Sequence, residues 1–477
     1  MVAAVALSPR FRLPLNVGRE FDLRAEDIVL VGLLGWWALR DRDLSAARSR
    51  LLRAFALYLS VGLLSTAVNV LFFHLPALRA AAFWGKSLEF LLIASLFATW
   101  ARRPSERRLV VASLLGLGFA NLAWVIVQMV QRPPFHALLA IRPRGGWPHD
   151  SYGPGLIGEI SPLSTGSFFL LQFLVWFAWF AVSPRLRAGL RRYAASAAML
   201  LAMILAESRV SYIGSAVGAG SIALLSRRLW KVGVAFAAAF ILGNGVLIST
   251  GDPDVARVTG VYFIEQSLIY RVQVIWQPLF GKYTGTYKAP AAAPTPPIMI
   301  GLNQAPPPPT AQSEKPPAAV QLVIGYGVGA MGSAPGLPVE AHNQFLRVFL
   351  ETGAVGLLAF LALLVLLLRE TYRVFRSATV EVDKILGLAT LAAVLAFLLA
   401  SLLQDMFFPV IPNELLWILV GLVVAVRLST TVSAQSSTQG FARRAVHATH
   451  GFRTAISHSI QVRGRAGESI NRARGRP

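Results

Sequence analysis

The chain has 477 residues, of which 55% are hydrophobic and only 14% are charged. A soluble domain of this length would carry roughly a quarter charged residues. The chain contains no cysteine, which excludes disulfides, thiolate metal sites and cysteine nucleophiles. This composition predicts an integral membrane protein.

Apolar runs recur along the chain, many of them near the ~20 residues that a helix needs to cross ~30 Å of hydrocarbon. They lack the alternation of a membrane β-barrel, so we expect an all-α, polytopic transmembrane helical bundle. The first run is too short to span without its polar flanks, which leaves ten or eleven spanning helices. The runs are 28–39, 54–73, 80–100, 109–130, 162–182, 193–207, 210–226, 232–249, 343–368, 385–407 and 413–428.

The formal net charge of +22 comes from basic clusters between the runs, all on one side of the membrane if each run spans once. The positive-inside rule makes that side cytoplasmic. This orienting role explains the positive charge better than a nucleic-acid partner does. The clusters are Arg40–Arg53, Arg102–Arg108, Arg185–Arg192, Arg227–Lys231, Arg369–Lys384 and Arg443–Arg476.

The opposite, extracytoplasmic face then carries two long loops and one tight hairpin. The larger loop contains a proline-rich insert, which we interpret as a flexible tether rather than a folded module. The predicted segments are N-terminal membrane helices 1–249, a large extracytoplasmic loop 250–341 with the proline-rich insert 289–317, C-terminal membrane helices 342–428 and a basic, disordered cytoplasmic tail 429–477.

The sharpest local feature lies where the large loop meets the next apolar run. His342 and Asn343 fall at the predicted helix start, where unpaired N–H groups and the helix dipole favour an anion. A histidine exchanges a proton near neutral pH, which suits a general base; an interfacial histidine beside a helix cap is the equally weighted alternative. Arg347 and Glu351 lie one turn apart inside the run and predict an ion pair.

Two glycine patterns flank this feature. The stretch Ile324-Gly-Tyr-Gly-Val-Gly329 predicts a tight turn whose backbone approaches a ligand closely. It is not a P-loop, because no Gly-Lys-Ser/Thr follows. Gly353 and Gly356, inside the run, predict close helix packing.

Two outer arginines are candidates for binding an anion. Arg209 stands in the predicted hairpin, where it either snorkels to the interface or points inward; we favour the inward, functional role. Arg271 lies on an amphipathic segment, 255–280, and arginine presents a planar fork that matches phosphate oxygens. Trp276 on the same segment either stacks on a sugar ring or anchors in the membrane interface. No paired acids occur in the outer loops, so we expect no divalent-metal site.

The motifs resemble those of the O-antigen ligase and polymerase superfamily of bacterial membrane glycosyltransferases. The resemblance spans roughly residues 142–426, although the N-terminus lacks one helix that many relatives have and the proline-rich insert is unusually long. The residues that carry it are His342, Asn343, Leu346, Glu351, Gly353, Gly356, Leu357 and Phe360, preceded by Ser208, Arg209, Arg271, Trp276, Gly325 and Gly327 and followed by Asp405, Pro409, Pro412 and Trp417.

The resemblance implies the helical fold of lipid-linked (GT-C-type) glycosyltransferases in the bacterial inner membrane, with the active site facing the periplasm. It implies transfer of a glycan from polyprenyl (undecaprenyl) diphosphate to a sugar hydroxyl, without cofactor, nucleotide or metal. A ligase uses a lipid A–core acceptor and a polymerase joins repeat units; both remain open. The implied roles are His342 as base, Arg209 and Arg271 at the diphosphate, Asn343 or Glu340 orienting the histidine, and Trp276, Gly325, Tyr326 and Gly327 binding substrate.

Two other classes of function compete with this interpretation. A transporter or flippase for lipid-linked sugars would explain intramembrane charges such as Lys86, Glu89 and Asp405, but the sequence has no internal repeat. A structural or assembly protein would tolerate His342→Ala.

Overall fold

The structure is a computed structural model of the chain. It describes residues 10–12, 22–40, 44–130, 156, 162–183, 186–205, 208–226, 231, 272, 276, 317–331, 341–407 and 411–430.

These residues are mostly helical. One short antiparallel pair of strands, β1 (Arg10–Arg12) and β2 (Asp22–Arg24), precedes the first helix, with Arg10 opposite Arg24. A 3₁₀ helix covers Leu44–Arg48. The α-helices are α1 (Ala25–Arg40), α2 (Arg50–Phe73), α3 (Ala77–Trp100), α4 (Pro104–Val130), α5 (Pro162–Val182), α6 (Leu186–Leu205), α7 (Arg209–Ser226), α8 (Ala318–Ile324), α9 (Gln344–Ser377), α10 (Glu381–Ala400) and α11 (Ile411–Thr430).

The helix starts follow local sequence signals. α4 and α5 each begin with proline, which suits a first helical position because its missing N–H would have no helical partner there. The carboxylate of Glu106 accepts a hydrogen bond from the N–H of Arg103 at 2.8 Å, which caps the start of α4. α10 carries Glu381 and Asp383 in its first turn, where the helix dipole favours acids.

The core of the bundle is built from α5, α10 and α11, whose residues are mostly buried. α10 packs against α5, α7 and α9, and α9 packs in turn against α2 and α8. On α11, Gly421 lets the helix approach α3 so closely that a Cβ would lie 2.6 Å from the carbonyl oxygen of Ala94. These helices are apolar on all sides, as expected of helices enclosed by others.

A buried ion pair joins two helix starts at one end of the bundle. Both guanidinium nitrogens Nε and Nη2 of Arg107 donate to the carboxylate of Asp383, at 2.7 and 2.8 Å. This is the bidentate geometry that fixes relative orientation as well as charge. Because α9 ends just before α10 begins, this pair lies at the opposite end of α9 from His342.

The predicted polytopic helical architecture is confirmed. Within the described part of the chain, seven helices are long and apolar enough to cross a membrane: α2, α3, α4, α5, α9, α10 and α11. α1, which holds the short first run, is not among them, and Ala194–Met203 and Val210–Ser226 are shorter apolar stretches. The run 232–249 lies outside the described residues.

Two helices end at residues other than the ends of their apolar runs. α9 has 34 residues and continues to Ser377 instead of ending at 368. α10 ends at Ala400, and the residues to 407 form turns, although the apolar run continued through them. An apolar run shows that residues avoid water, which turns within a membrane protein do as well as helices.

The chain divides into two units, Met1–Val426 and Arg427–Pro477. The N-terminal and C-terminal sets of membrane helices, predicted as separate segments, belong to the first unit. The second corresponds to the predicted tail, of which the described residues 427–430 continue α11. The proline-rich insert falls outside the described residues, apart from Pro317 at the start of α8.

Candidate functional site

The long helix α9 is interrupted about two and a half turns after its start. Gly353 has φ 67° and ψ −170°, outside the helical region. Such a break removes the helical partners of the carbonyls just before it. The N–H groups of Tyr326 and Gly327 bind the carbonyls of Leu350 and Glu351, each at 2.8 Å. The glycine-rich turn therefore caps the first segment of α9, residues 344–352.

The tight turn predicted from the glycine run is present. Gly325, Gly327 and Gly329 all have positive φ, where glycine is strongly favoured. The close backbone approach is to the protein itself, because a Cβ on Gly325 would lie 2.6 Å from the carbonyl carbon of Glu351. The Tyr326 hydroxyl donates to Oε1 of Gln321 at 2.7 Å, within the same segment.

Polar side chains of α2 hold the turn from the other side. The Ser65 hydroxyl lies 2.9 Å from the carbonyl oxygen of Glu351 and also binds that of Ile324. The Asn69 amide donates to the carbonyl oxygen of Gly325 at 3.1 Å. Buried backbone groups need such partners, which explains these polar residues in an otherwise apolar helix.

His342 adopts a left-handed backbone conformation, with φ 51°. This conformation is uncommon outside glycine, and where it occurs it is often held by the surrounding structure at a functional site. The ring is half-buried, and its Nδ1 atom lies 3.3 Å from Oε1 of Gln404. Gln404 belongs to the turn after α10, so the contact joins two segments that are distant in sequence.

Hydrogen bonds fasten the residues around His342 to that turn. Asn343 is the N-cap of α9: its Oδ1 accepts from the N–H of Leu346 at 2.9 Å, and its amide donates to the carbonyl of Leu402 at 3.1 Å. The N–H of Gln344 donates to the carbonyl of Ser401 at 2.9 Å. We call this contact of residues 341–347 with residues 401–407 the histidine junction.

The predicted ion pair between Arg347 and Glu351 is confirmed, with Nη2 and Oε1 3.4 Å apart. The structure adds Asp405, whose Oδ2 lies 3.3 Å from Nη1 of the same arginine. Glu351 also accepts a hydrogen bond from the N–H of Gly329 at 3.2 Å. All three charged side chains are less than a tenth exposed. The network therefore joins the glycine turn, α9 and the histidine junction through buried charges, which are costly to separate.

Trp276 contacts the backbone immediately before His342. Its indole N–H donates to the carbonyl oxygen of Ala341 at 3.0 Å. The half-buried ring packs against an apolar cluster that contains Met331, Ala341, Leu346 and Leu350. This arrangement joins the large loop to the start of α9.

The backbone of Arg209 lies at the same end of α10 as the histidine junction. On α7, a Cβ added to Gly214 would lie 3.6 Å from the Cβ of Ala396, and one added to Gly218 would lie 3.3 Å from the carbonyl oxygen of Ala392. The two helices therefore run antiparallel, and Arg209, which begins α7, falls level with the C-terminal end of α10. The structure describes the backbone of Arg209 but not its side chain. Arg271 and Glu340 lie outside the described residues.

Two contacts of the site were not predicted from the sequence: that of Gln404 with His342 and the ion pair of Asp405 with Arg347. Gln404 lies 62 residues from His342, and Asp405 lies 58 residues from Arg347. A polar Gln404-Asp405 pair that interrupts the apolar run 385–407 was the available signal. It indicated a buried polar contact without saying which residues make it.

A second polar cluster joins α1, α3 and α11. The ammonium of Lys86 lies 2.9 Å from the carboxylate of Asp27, 2.5 Å from that of Glu89 and 3.2 Å from that of Glu414. Two of the intramembrane charges considered for a transporter are thus paired within the protein.

The arrangement around His342 is suited to moving a proton. The backbone of His342 has a defined left-handed conformation, and Nδ1 of its ring contacts Gln404. The ring therefore presents its other nitrogen, Nε2, in a defined direction. Among the residues described, no group of three or more His, Asp or Glu side chains is placed to hold a metal ion. The absence of a metal requirement remains a prediction.

Comparison with known proteins shows no family for the chain. No protein-family model matches the chain, and no curated protein sequence is similar to it.

Proposed function

We propose that the chain is a membrane glycosyltransferase that transfers a glycan from a polyprenyl diphosphate carrier to a sugar hydroxyl on the outer face of the bacterial inner membrane. The observation that carries the proposal is the backbone and side-chain fixation of His342, in a motif that resembles that of the O-antigen ligases. The lipid A–core sugar is the first candidate acceptor. A lipid-linked repeat unit, as in a polymerase, is the second.

The proposed reaction needs two kinds of group: a base for the acceptor hydroxyl and cations for the diphosphate. The bond between the anomeric carbon and the phosphate oxygen breaks, and the anomeric carbon bonds to the acceptor oxygen. The hydroxyl proton passes to His342, because a sugar hydroxyl is a weak nucleophile without a base. The diphosphate leaves with the bonding electrons, and its charge requires positive partners.

Arg209 and Arg271 are the proposed cations. The support for Arg209 is the position of its backbone, level with the histidine junction along α10. The support for Arg271 is its sequence position five residues before Trp276, whose indole binds Ala341 beside the histidine. Their planar guanidinium groups suit the diphosphate oxygens.

Reconstitution of the full chain in vesicles tests the proposal. We expect a polyprenyl-diphosphate oligosaccharide to be consumed, and the glycan to appear on either a lipid A–core acceptor or a second lipid-linked unit. A chelator should leave the rate unchanged. Loss of activity that Mg²⁺ or Mn²⁺ restores would contradict the metal-free mechanism. Movement of the donor across the bilayer without a new glycosidic bond would contradict the proposal and support the flippase alternative.

The orientation has a separate test, which is simple because the chain has no cysteine of its own. A single cysteine in place of Ser313 in the large loop should react with an impermeant thiol reagent added to whole cells with a permeabilised outer membrane. A cysteine in place of Ser45, in the basic segment after α1, is the matched control and should react only after the inner membrane is opened. The reverse pattern would invert the proposed topology.

A further inference from the structure

We infer that Gln404 is a positioning residue for His342: its side-chain oxygen accepts the Nδ1–H of the imidazole and so places the proton-accepting lone pair on Nε2. The inference rests on the proposed function for its catalytic meaning. Its structural content, the tautomer of His342, does not depend on that function.

The first support is the atom opposite Nδ1. Oε1 of Gln404 lies 3.3 Å from it, and an amide oxygen only accepts hydrogen bonds. A neutral imidazole meets an acceptor with its N–H, which leaves the lone pair on the other ring nitrogen. The partner of one ring nitrogen thereby decides which nitrogen can take a proton.

The second support is the rigidity of the segment that carries Gln404. Its N–H donates to the carbonyl of Ala400, and its own carbonyl accepts from the N–H of Met406 at 2.9 Å. The next residue, Asp405, is held by Arg347. The backbone that carries the glutamine side chain is therefore held at residues 404 and 405, which suits a residue that orients another group.

The third support is the choice of a neutral acceptor. The described charged groups on the two segments that meet at the histidine junction are Arg347 and Asp405, which pair with each other, and Arg347 also pairs with Glu351. A carboxylate at position 404 would hold the ring equally well but would stabilise the imidazolium. A neutral amide orients the ring and leaves it able to act as a base.

Two substitutions separate orientation from charge. Gln404→Met removes the acceptor at similar size, and we expect kcat to fall on the order of 10–100-fold with little change in KM. Gln404→Glu keeps the acceptor and adds a negative charge. We expect it to retain most of kcat while the acidic limb of the pH–rate profile moves to higher pH, since more alkaline conditions are needed to deprotonate the ring.

The tautomer is measured directly by ¹⁵N NMR of the full chain labelled in its seven histidines. His342→Asn identifies the relevant signals by difference. We expect an Nδ1–H pattern in the wild type that is lost in Gln404→Met and kept in Gln172→Met, a control at a buried glutamine of α5. An Nε2–H pattern in the wild type, or one unchanged by Gln404→Met, would overturn the inference. A wild-type protein with the Nδ1–H pattern but no transferase activity would overturn the proposed function alone.

Discussion

Replacement of His342 by alanine is expected to lower the rate of glycan transfer by about 10²–10⁴-fold, the usual contribution of a general base. The loss should appear in kcat, because a base acts on the acceptor hydroxyl in the transition state and contributes little to donor binding. The measurement is the initial rate of product formation in reconstituted vesicles with saturating donor and acceptor.

The matched control for this variant addresses the unusual backbone of His342. At φ 51° alanine is strained, whereas asparagine adopts the left-handed region more readily. His342→Asn should therefore be as inactive as His342→Ala but closer to the wild type in thermal stability. Wild-type rates in both variants would refute the role of the base and favour a structural or assembly protein.

Replacement of Gly353 by alanine is expected to destabilise the protein by about 2–5 kcal/mol, the sum of left-handed backbone strain and steric overlap. The Cβ would lie 2.2 Å from the carbonyl oxygen of Val323, a backbone atom that cannot turn away. Because the same contact holds the first segment of α9, activity should fall together with stability. The measurement is thermal unfolding of the purified chain in detergent.

Gly116→Ala in α4 is the control for Gly353→Ala. A Cβ there meets no atom within 4 Å, so the substitution should be neutral or stabilise the helix by up to about 1 kcal/mol. If Gly353→Ala unfolds at the wild-type temperature, the break in α9 is not a required feature of the fold.

Local patterns in the sequence predicted the parts of the site that depend on neighbouring residues. The Arg347–Glu351 pair follows from the helical repeat, and the glycine turn follows from the backbone freedom of Gly325 and Gly327. The helix start at Asn343 follows from a capping residue before an apolar run. Each of these signals acts within about one helical turn.

The contacts that position His342 could not be predicted from such local patterns. Gly353 was predicted to allow close helix packing, and it does pack against α8, where a Cβ would lie 2.2 Å from the carbonyl oxygen of Val323; it also breaks α9, which was not predicted. Asn343 or Glu340 was expected to orient the histidine. Gln404 lies opposite Nδ1, both polar side-chain atoms of Asn343 bind backbone groups, and Glu340 lies outside the described residues. A glycine inside an apolar run is compatible with either a helix or a break, and only the docking of the glycine turn decides between them.

The sequence by itself determined that this is a polytopic helical membrane protein, because apolar runs and basic clusters depend on the bilayer rather than on tertiary contacts. It also singled out the residues for which we propose a chemical role: His342, Arg209 and Arg271. Only the tertiary structure decided how the histidine is held, since Gln404 contacts His342 from 62 residues away and Asp405 pairs with Arg347 from 58 residues away. Such pairings depend on how helices pack, and no periodicity in the chain records that.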